Sequence, residues 1–189
     1  MAGARSDADR PAPTVWTVGH STRTLDELVA LLRAHRVDTV VDVRTLPRSR
    51  RHPHFAKEAL TARLPAAGIA YLHMPGLGGL RKPRKDSPNA GWRNQGFRGY
   101  ADYMQTEEFA HHVEALLRLA GSARLTVMCA EAVPWRCHRS LISDALVVRG
   151  AHILHITSHA APSPHVLTSW AHQDGVRLTY PPVQGELAL

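Results

Sequence analysis

Cys129, Glu131, Cys137, His138 and Arg139 fall within the stretch VMCAEAVPWRCHRSL, Val127 to Leu141, between an apolar run and an apolar helical pattern. Those residue types at that spacing serve three chemistries. A cysteine beside a helix N-terminus and beside arginines such as Arg136 and Arg139 has a lowered pKa and acts as a thiolate. A glutamate in a loop facing a helix start is held ionised. That suits Glu131 as base or nucleophile, with His20 or His138 shuttling protons and Arg44, Arg136 or Arg139 gripping an anionic group. Cys129, Cys137 and His138 could also ligate a metal. Zinc draws on tighter pairs, however, and adjacent residues on a helix point about 100° apart, so neither a metal nor another cofactor is expected. Against all three stands a plain alternative, because a cysteine at a strand end is commonly a small core residue.

The elements that must position these groups follow from periodicity. Short apolar runs alternate with helical patterns from end to end, as in a parallel sheet wrapped by helices. Strands are expected at Thr14 to Val18, Val37 to Val43, Ile69 to Met74, ARLTVMC up to Cys129, and HILHIT from His152. Thr24 with Glu27 three residues later predicts a capping box, with leucines at helical spacing up to Leu32. Further helices are expected around Phe55 to Ala66, from about Gly99 to Ala120, from Pro134 to Val148, and over PHVLTSWAHQ. The final VRLTYPPVQGELAL offers an edge strand. The fold class is therefore α/β: three layers, a mainly parallel sheet of five or six strands, Rossmann-like. One domain is expected over residues 14–182, after a disordered leader (1–13) and before a flexible tail (183–189).

In such a sheet, ligands bind beyond the carboxyl ends of the strands. His20 and Ser21 follow the first strand, Arg44 ends the second, His73 and then Gly78 and Gly79 follow the third, and Cys129 and Glu131 end the fourth. Asp42 and Arg44 alternate along one strand and share a face, which predicts that they pair. Glycines at 78 and 79 would let backbone N–H groups approach a ligand, although a plain turn uses them too.

Charge is unevenly spread. From Arg44 to Arg98 there are twelve Lys or Arg against Glu58 and Asp86, a net of +10. The rest of the chain carries −3, giving the overall +7. Arg48, Arg50, Arg51, Arg81, Lys82, Arg84 and Lys85 form two runs suited to a phosphate backbone. Trp92, Phe97, Tyr100 and Tyr103 lie beside the second run and could stack on a base, with Tyr103 better suited to the core. A genome rich in arginine codons accounts for twenty Arg against three Lys, but not for the local scarcity of acids. With two cysteines there is no disulfide framework, and no apolar run reaches membrane-spanning length. A cytoplasmic protein without membrane contact is expected, of undetermined oligomeric state.

The stretches TVGHSTRTLDELVALL, VVDVRTLPRSRRHPHF, GIAYLHMPGLGG, FRGYADYM and LTVMCAEAVPWRCHRSLISDAL resemble, in order, the domain of unknown function 488 family over about residues 14 to 157. The resemblance implies a compact α/β domain and a pattern of positions: His20, Ser21, Asp42, Arg44, Pro47, Ser49, Gly78, Gly79, Cys129, Glu131, Cys137, His138 and Arg139. It implies no activity. VDVR early and a cysteine before a helix late also occur in rhodaneses and cysteine phosphatases. Those phosphatases have an arginine where this chain has Trp135, in a glycine-bearing loop that AEAV does not match.

The reading drawn from the sequence is an enzyme on a small phosphorylated or nucleotide-like anionic substrate. Cys129, Glu131, His138 and His20 stand at the reacting centre. Ser21, Arg44, Ser49, Gly78, Gly79, Arg136, Cys137 and Arg139 bind. Two alternatives stay open: a nucleic-acid-binding or ligand-sensing regulatory module, and rhodanese-like or phosphatase-like thiolate chemistry.

Overall fold

The computed structural model describes residues 12–48 and 52–182. Five strands run parallel in one sheet: β1 (Thr14–Gly19), β2 (Thr39–Asp42), β3 (Ala70–His73), β4 (Leu125–Cys129) and β5 (His152–Ile156). The two-residue β6 (Ser163–Pro164) adds antiparallel to β5, giving the order β3-β2-β4-β1-β5-β6. β2 and β4 are buried along their whole length, as expected of strands covered on both faces.

Helices α1 (Leu25–Ala34) and α2 (Lys57–Ala66) pack Leu28, Leu31, Leu32, Leu60 and Leu64 on one face of the sheet, against Trp16, Val18, Val40 and Met128. Helices α3 (Gln95–Tyr103), α4 (Glu107–Ala120) and α5 (Arg139–Val147) cover the other face. Tyr100, Val113, Leu116 and Leu141 meet Val15, Val41, Val127 and Ile153 there. This is the three-layer α/β architecture expected from the alternating pattern. The capping box at Thr24 is present, its hydroxyl accepting from the Glu27 amide at 3.2 Å while Glu27 accepts from the Thr24 amide at 2.6 Å.

Four expected elements differ. The helix drawn from Gly99 to Ala120 is two helices, because the Thr106 hydroxyl accepts from the Phe109 amide and starts α4 afresh. Pro134 does not open a long helix. It begins a single 3-10 turn (Pro134–Arg136), Cys137 is extended, and α5 starts at Arg139. No helix forms over Pro164 to Gln173. There His165 and Thr168 are tied to the Asp144 carboxylate, and β6 pairs with β5 instead, so specific side-chain bonds override a helical pattern. The late strand β8 (Arg177–Thr179) pairs with β7 (His172–Asp174) in a separate ribbon rather than joining the main sheet. Most of the leader and all of the tail lie outside the described residues. No helix among the described residues is long and apolar enough to cross a membrane.

The connections decide where a ligand can sit. The loop after β1 leads to α1 on one face, whereas the loop after β4 leads to α5 on the other. β1 and β4 are neighbours, so their departing loops diverge and leave a crevice at their carboxyl ends.

Candidate functional site

A cavity of about 630 Å³ occupies that crevice. It is lined from four loops: His20, Ser21 and Thr22 after β1; Arg44 to Leu46, Arg48 and His52 after β2; Gly79 and Leu80 after β3; and Cys129 to Ala132 with Cys137 and His138 between β4 and α5. The β1 and β4 loops are laced together beyond the sheet. The His20 amide donates to the Cys129 carbonyl at 3.0 Å, and the Ser21 amide to the Ala130 carbonyl at 2.9 Å. At Gly19 the two backbones come so close that a Cβ would collide with the Glu131 carbonyl.

On the α1/α2 face of the crevice, Asp42 and Arg44 pair as expected. The Arg44 Nε and Nη2 donate to the two Asp42 carboxylate oxygens at 2.9 and 2.6 Å, and Asp42 is fully buried. Nη2 also donates to the Phe55 carbonyl at 2.9 Å, and Nη1 lies 3.2 Å from His20 Nε2. Four of the five guanidinium hydrogens are thereby committed, leaving one for a ligand. The His20 ring stacks on Phe55 at 4.1 Å between centroids, and burial lowers its pKa from 6.5 to about 4. It is held as a neutral hydrogen-bonding wedge.

On the opposite face lie the sulfurs. Cys129 ends β4 with its side chain toward α5, and the extended residue Cys137 returns to meet it, Sγ to Sγ at 2.7 Å. The His138 Nδ1 is 3.5 Å from the Cys137 sulfur. The two thiols have opposite acidities. Burial pushes Cys129 well above its usual value, while hydrogen bonding from Cys129, followed by His138 and the nearby Arg139 charge, lowers Cys137. One proton shared between two sulfurs explains both directions: either sulfur can donate it to the other, and the His138 ring beside Cys137 favours ionisation there.

Arg139 is buried and clamps the loop, its Nη2 donating to the Glu131 carbonyl at 2.7 Å and to the Ala132 carbonyl at 3.3 Å. Glu131 itself is exposed at the rim, so its backbone rather than its carboxylate is what the fold fixes. Two polar atoms on cavity-lining residues, Thr45 Oγ1 and His138 Nε2, are buried without a partner among the described residues. A buried group left unpaired is costly.

Not all the sequence-derived candidates gather here. Arg136 is exposed on the turn before Cys137 and is absent from the cavity wall. Gly78 packs against Thr45 behind the wall, and Gly79 packs on the His138 ring, where a Cβ would sit 2.6 Å from Nδ1. Ser49, Arg50 and Arg51 lie outside the described residues. Arg81 is spent internally: it lies 3.6 Å over the Tyr103 ring and donates to the Gly76 and Gly78 carbonyls. Arg84 pairs with Asp86 at 2.8 Å, while Lys82 and Lys85 are exposed. Tyr100 and Tyr103 are core. Sequence reasoning missed Thr45, Leu46, His52 and Leu80. Each adjoins a residue it did select, and only the fold reveals which neighbours turn inward. Among the described residues no group of three or more His, Cys, Asp or Glu is arranged to hold a metal ion.

A family model described as domain of unknown function DUF488 matches residues 24–146. The match takes in the Asp42–Arg44 pair and the whole Cys129 to Arg139 segment, and leaves out His20, Ser21 and β5. No curated protein and no solved structure matches the chain.

Proposed function

The chain belongs to the DUF488 family, and from the cavity it builds we propose that it is an enzyme whose Cys137 thiolate attacks an electrophilic centre on a small anionic substrate. The observation that carries this reading is the Cys129–Cys137–His138 cluster: a sulfur with a thiol donor at 2.7 Å and an imidazole at 3.5 Å, opening on a cavity of substrate size. His138 is the proton partner of the sulfur. Arg48 at the mouth and the remaining Arg44 hydrogen receive the anionic group. Glu131, exposed at the rim, is the acid or base toward a water or leaving group in this reading. His20 braces Arg44 and moves no proton.

Paired alkylation tests this. Iodoacetate, an anion, reacts more slowly than neutral iodoacetamide with an ordinary thiolate, because like charges repel. In a cavity built for anions the order reverses at Cys137, inorganic phosphate competes, and Arg48→Ala restores the ordinary order. Iodoacetate slower than iodoacetamide in the unaltered protein, with no protection by phosphate, would remove the anionic substrate. Failure of Cys137 to alkylate with either reagent would remove the nucleophile.

A further inference from the structure

A Cys137 nucleophile does not by itself explain the second sulfur. Cys129 is 2 % exposed, lines the same cavity, and stands closer to Cys137 Sγ than the His138 imidazole does. The contact is made by two backbones held firmly in place. Cys129 is locked in the sheet by its pairing with Gly19, and the intervening loop is clamped by Arg139. The sequence contains no third cysteine to compete. From 2.7 Å the sulfurs need approach by only about 0.7 Å to reach the length of a disulfide bond.

We infer that Cys129 and Cys137 are a dithiol–disulfide couple, and that the cavity passes two electrons between this couple and a small anionic disulfide. The inference rests on the thiolate reading above and names its substrate class. In the first step the Cys137 thiolate attacks one sulfur of the substrate R–S–S–R. A Cys137–S–S–R bond forms, the substrate disulfide breaks, and RS⁻ departs with the bonding pair. The Cys129 thiol gives its proton to that departing thiolate, making RSH. Cys129 Sγ then attacks Cys137 Sγ, the Cys129–Cys137 bond forms, and the second RS⁻ leaves and is protonated by solvent. Two protein thiols are oxidised and one disulfide is reduced to two thiols. A second dithiol, attacking the Cys129–Cys137 bond in the same way, returns the protein to its starting state. Attack is favoured at Cys137 because it is the thiolate, and resolution falls to Cys129 because it holds the proton until a leaving group needs it.

Oxidised glutathione, an anionic disulfide, is the probe. Reduced protein is treated with it, quenched in acid and weighed intact, with peptide mapping of each cysteine. The expected product is a protein lighter by two hydrogens, free of glutathione, with Cys129 and Cys137 joined. Cys129→Ser should stop at one glutathione on Cys137, and Cys137→Ser should react at least about tenfold more slowly. Persistent glutathione on Cys137 of the unaltered protein, or a disulfide between two chains, overturns the couple while leaving the thiolate reading intact. No reaction at either cysteine overturns both. Should Cys129→Ser fail to fold, the mapped product of the unaltered protein decides alone.

Discussion

Arg44 Nη1 donates to His20 Nε2 across 3.2 Å, and the direction is fixed by the other ring nitrogen. His20 Nδ1 lies 2.9 Å from the Ser21 carbonyl, which can only accept, so the single proton of the neutral ring sits there. The loop after β1 is thereby tied to the residue that leaves β2, at the edge of the cavity. A protonated His20 would face the guanidinium with a like charge and lose this bond.

Stability should therefore fall on acidification. His20 and His155 are both buried and both lowered from 6.5 to about 4. His155 sits between Thr17 Oγ1 at 2.7 Å and His165 Nδ1 at 2.9 Å, in a chain that ends on Asp144. The unfolded chain takes up protons first, so the stability from these groups is complete above pH 6.5. It declines as pH falls toward 4, by up to on the order of 3 kcal/mol per histidine. Urea unfolding across this range should show the loss, and His20→Asn should make the slope shallower.

Removing Arg44 should be far costlier than its place at the strand end suggests. Arg44→Ala leaves the Asp42 carboxylate fully buried with only the Tyr71 hydroxyl and the Arg44 amide as donors. A loss of about 3–5 kcal/mol is expected in denaturant unfolding. Arg44→Lys should recover little of it, because an ammonium cannot reach Asp42, Phe55 and His20 together. Asp42→Asn combined with Arg44→Met should cost less than Arg44→Ala alone.

Gly79→Ala should separate the site from the fold. The added methyl group would meet the His138 ring and shift it from the Cys137 sulfur. Alkylation of Cys137 should slow and its pH midpoint should rise, while unfolding changes by no more than about 1–2 kcal/mol. Gly19→Ala is the contrast, since its neighbour is backbone: it should destabilise the whole β1–β4 junction.

The exposed lysines of the basic loop should be dispensable to the thiol. Lys82→Ala with Lys85→Ala should leave the iodoacetate rate within about twofold, since neither residue lines the cavity and both are exposed to screening salt. A large fall would place the loop in the site.

The sequence made the fold's frame legible because its strands are buried on both faces and its first helix carries a capping box. The convergence on one end of the sheet was readable in the same way. Asp42 and Arg44 could be paired from their alternation alone. What the sequence could not reveal was backbone detail at element boundaries. Pro134 has the position of a helix opener, yet the chain makes one turn and then extends at Cys137, which is what carries that sulfur to Cys129. The segment after Pro164 has helical spacing, but Asp144, twenty-one residues earlier, captures His165. Glu131 is legible as the acid of the cluster, whereas the bond from its carbonyl to the buried Arg139 is visible only in the fold.

The central claim is that one of the two sulfurs is ionised at neutral pH and that it is Cys137. Titrating the ultraviolet absorbance of thiolate against pH measures this directly, in the reduced protein and in Cys137→Ser. One thiolate should already be present at pH 7 and vanish with Cys137→Ser, with the second appearing only well above the ordinary value of 9. Two thiols titrating together near 9, unaffected in position by the substitution, would contradict the account.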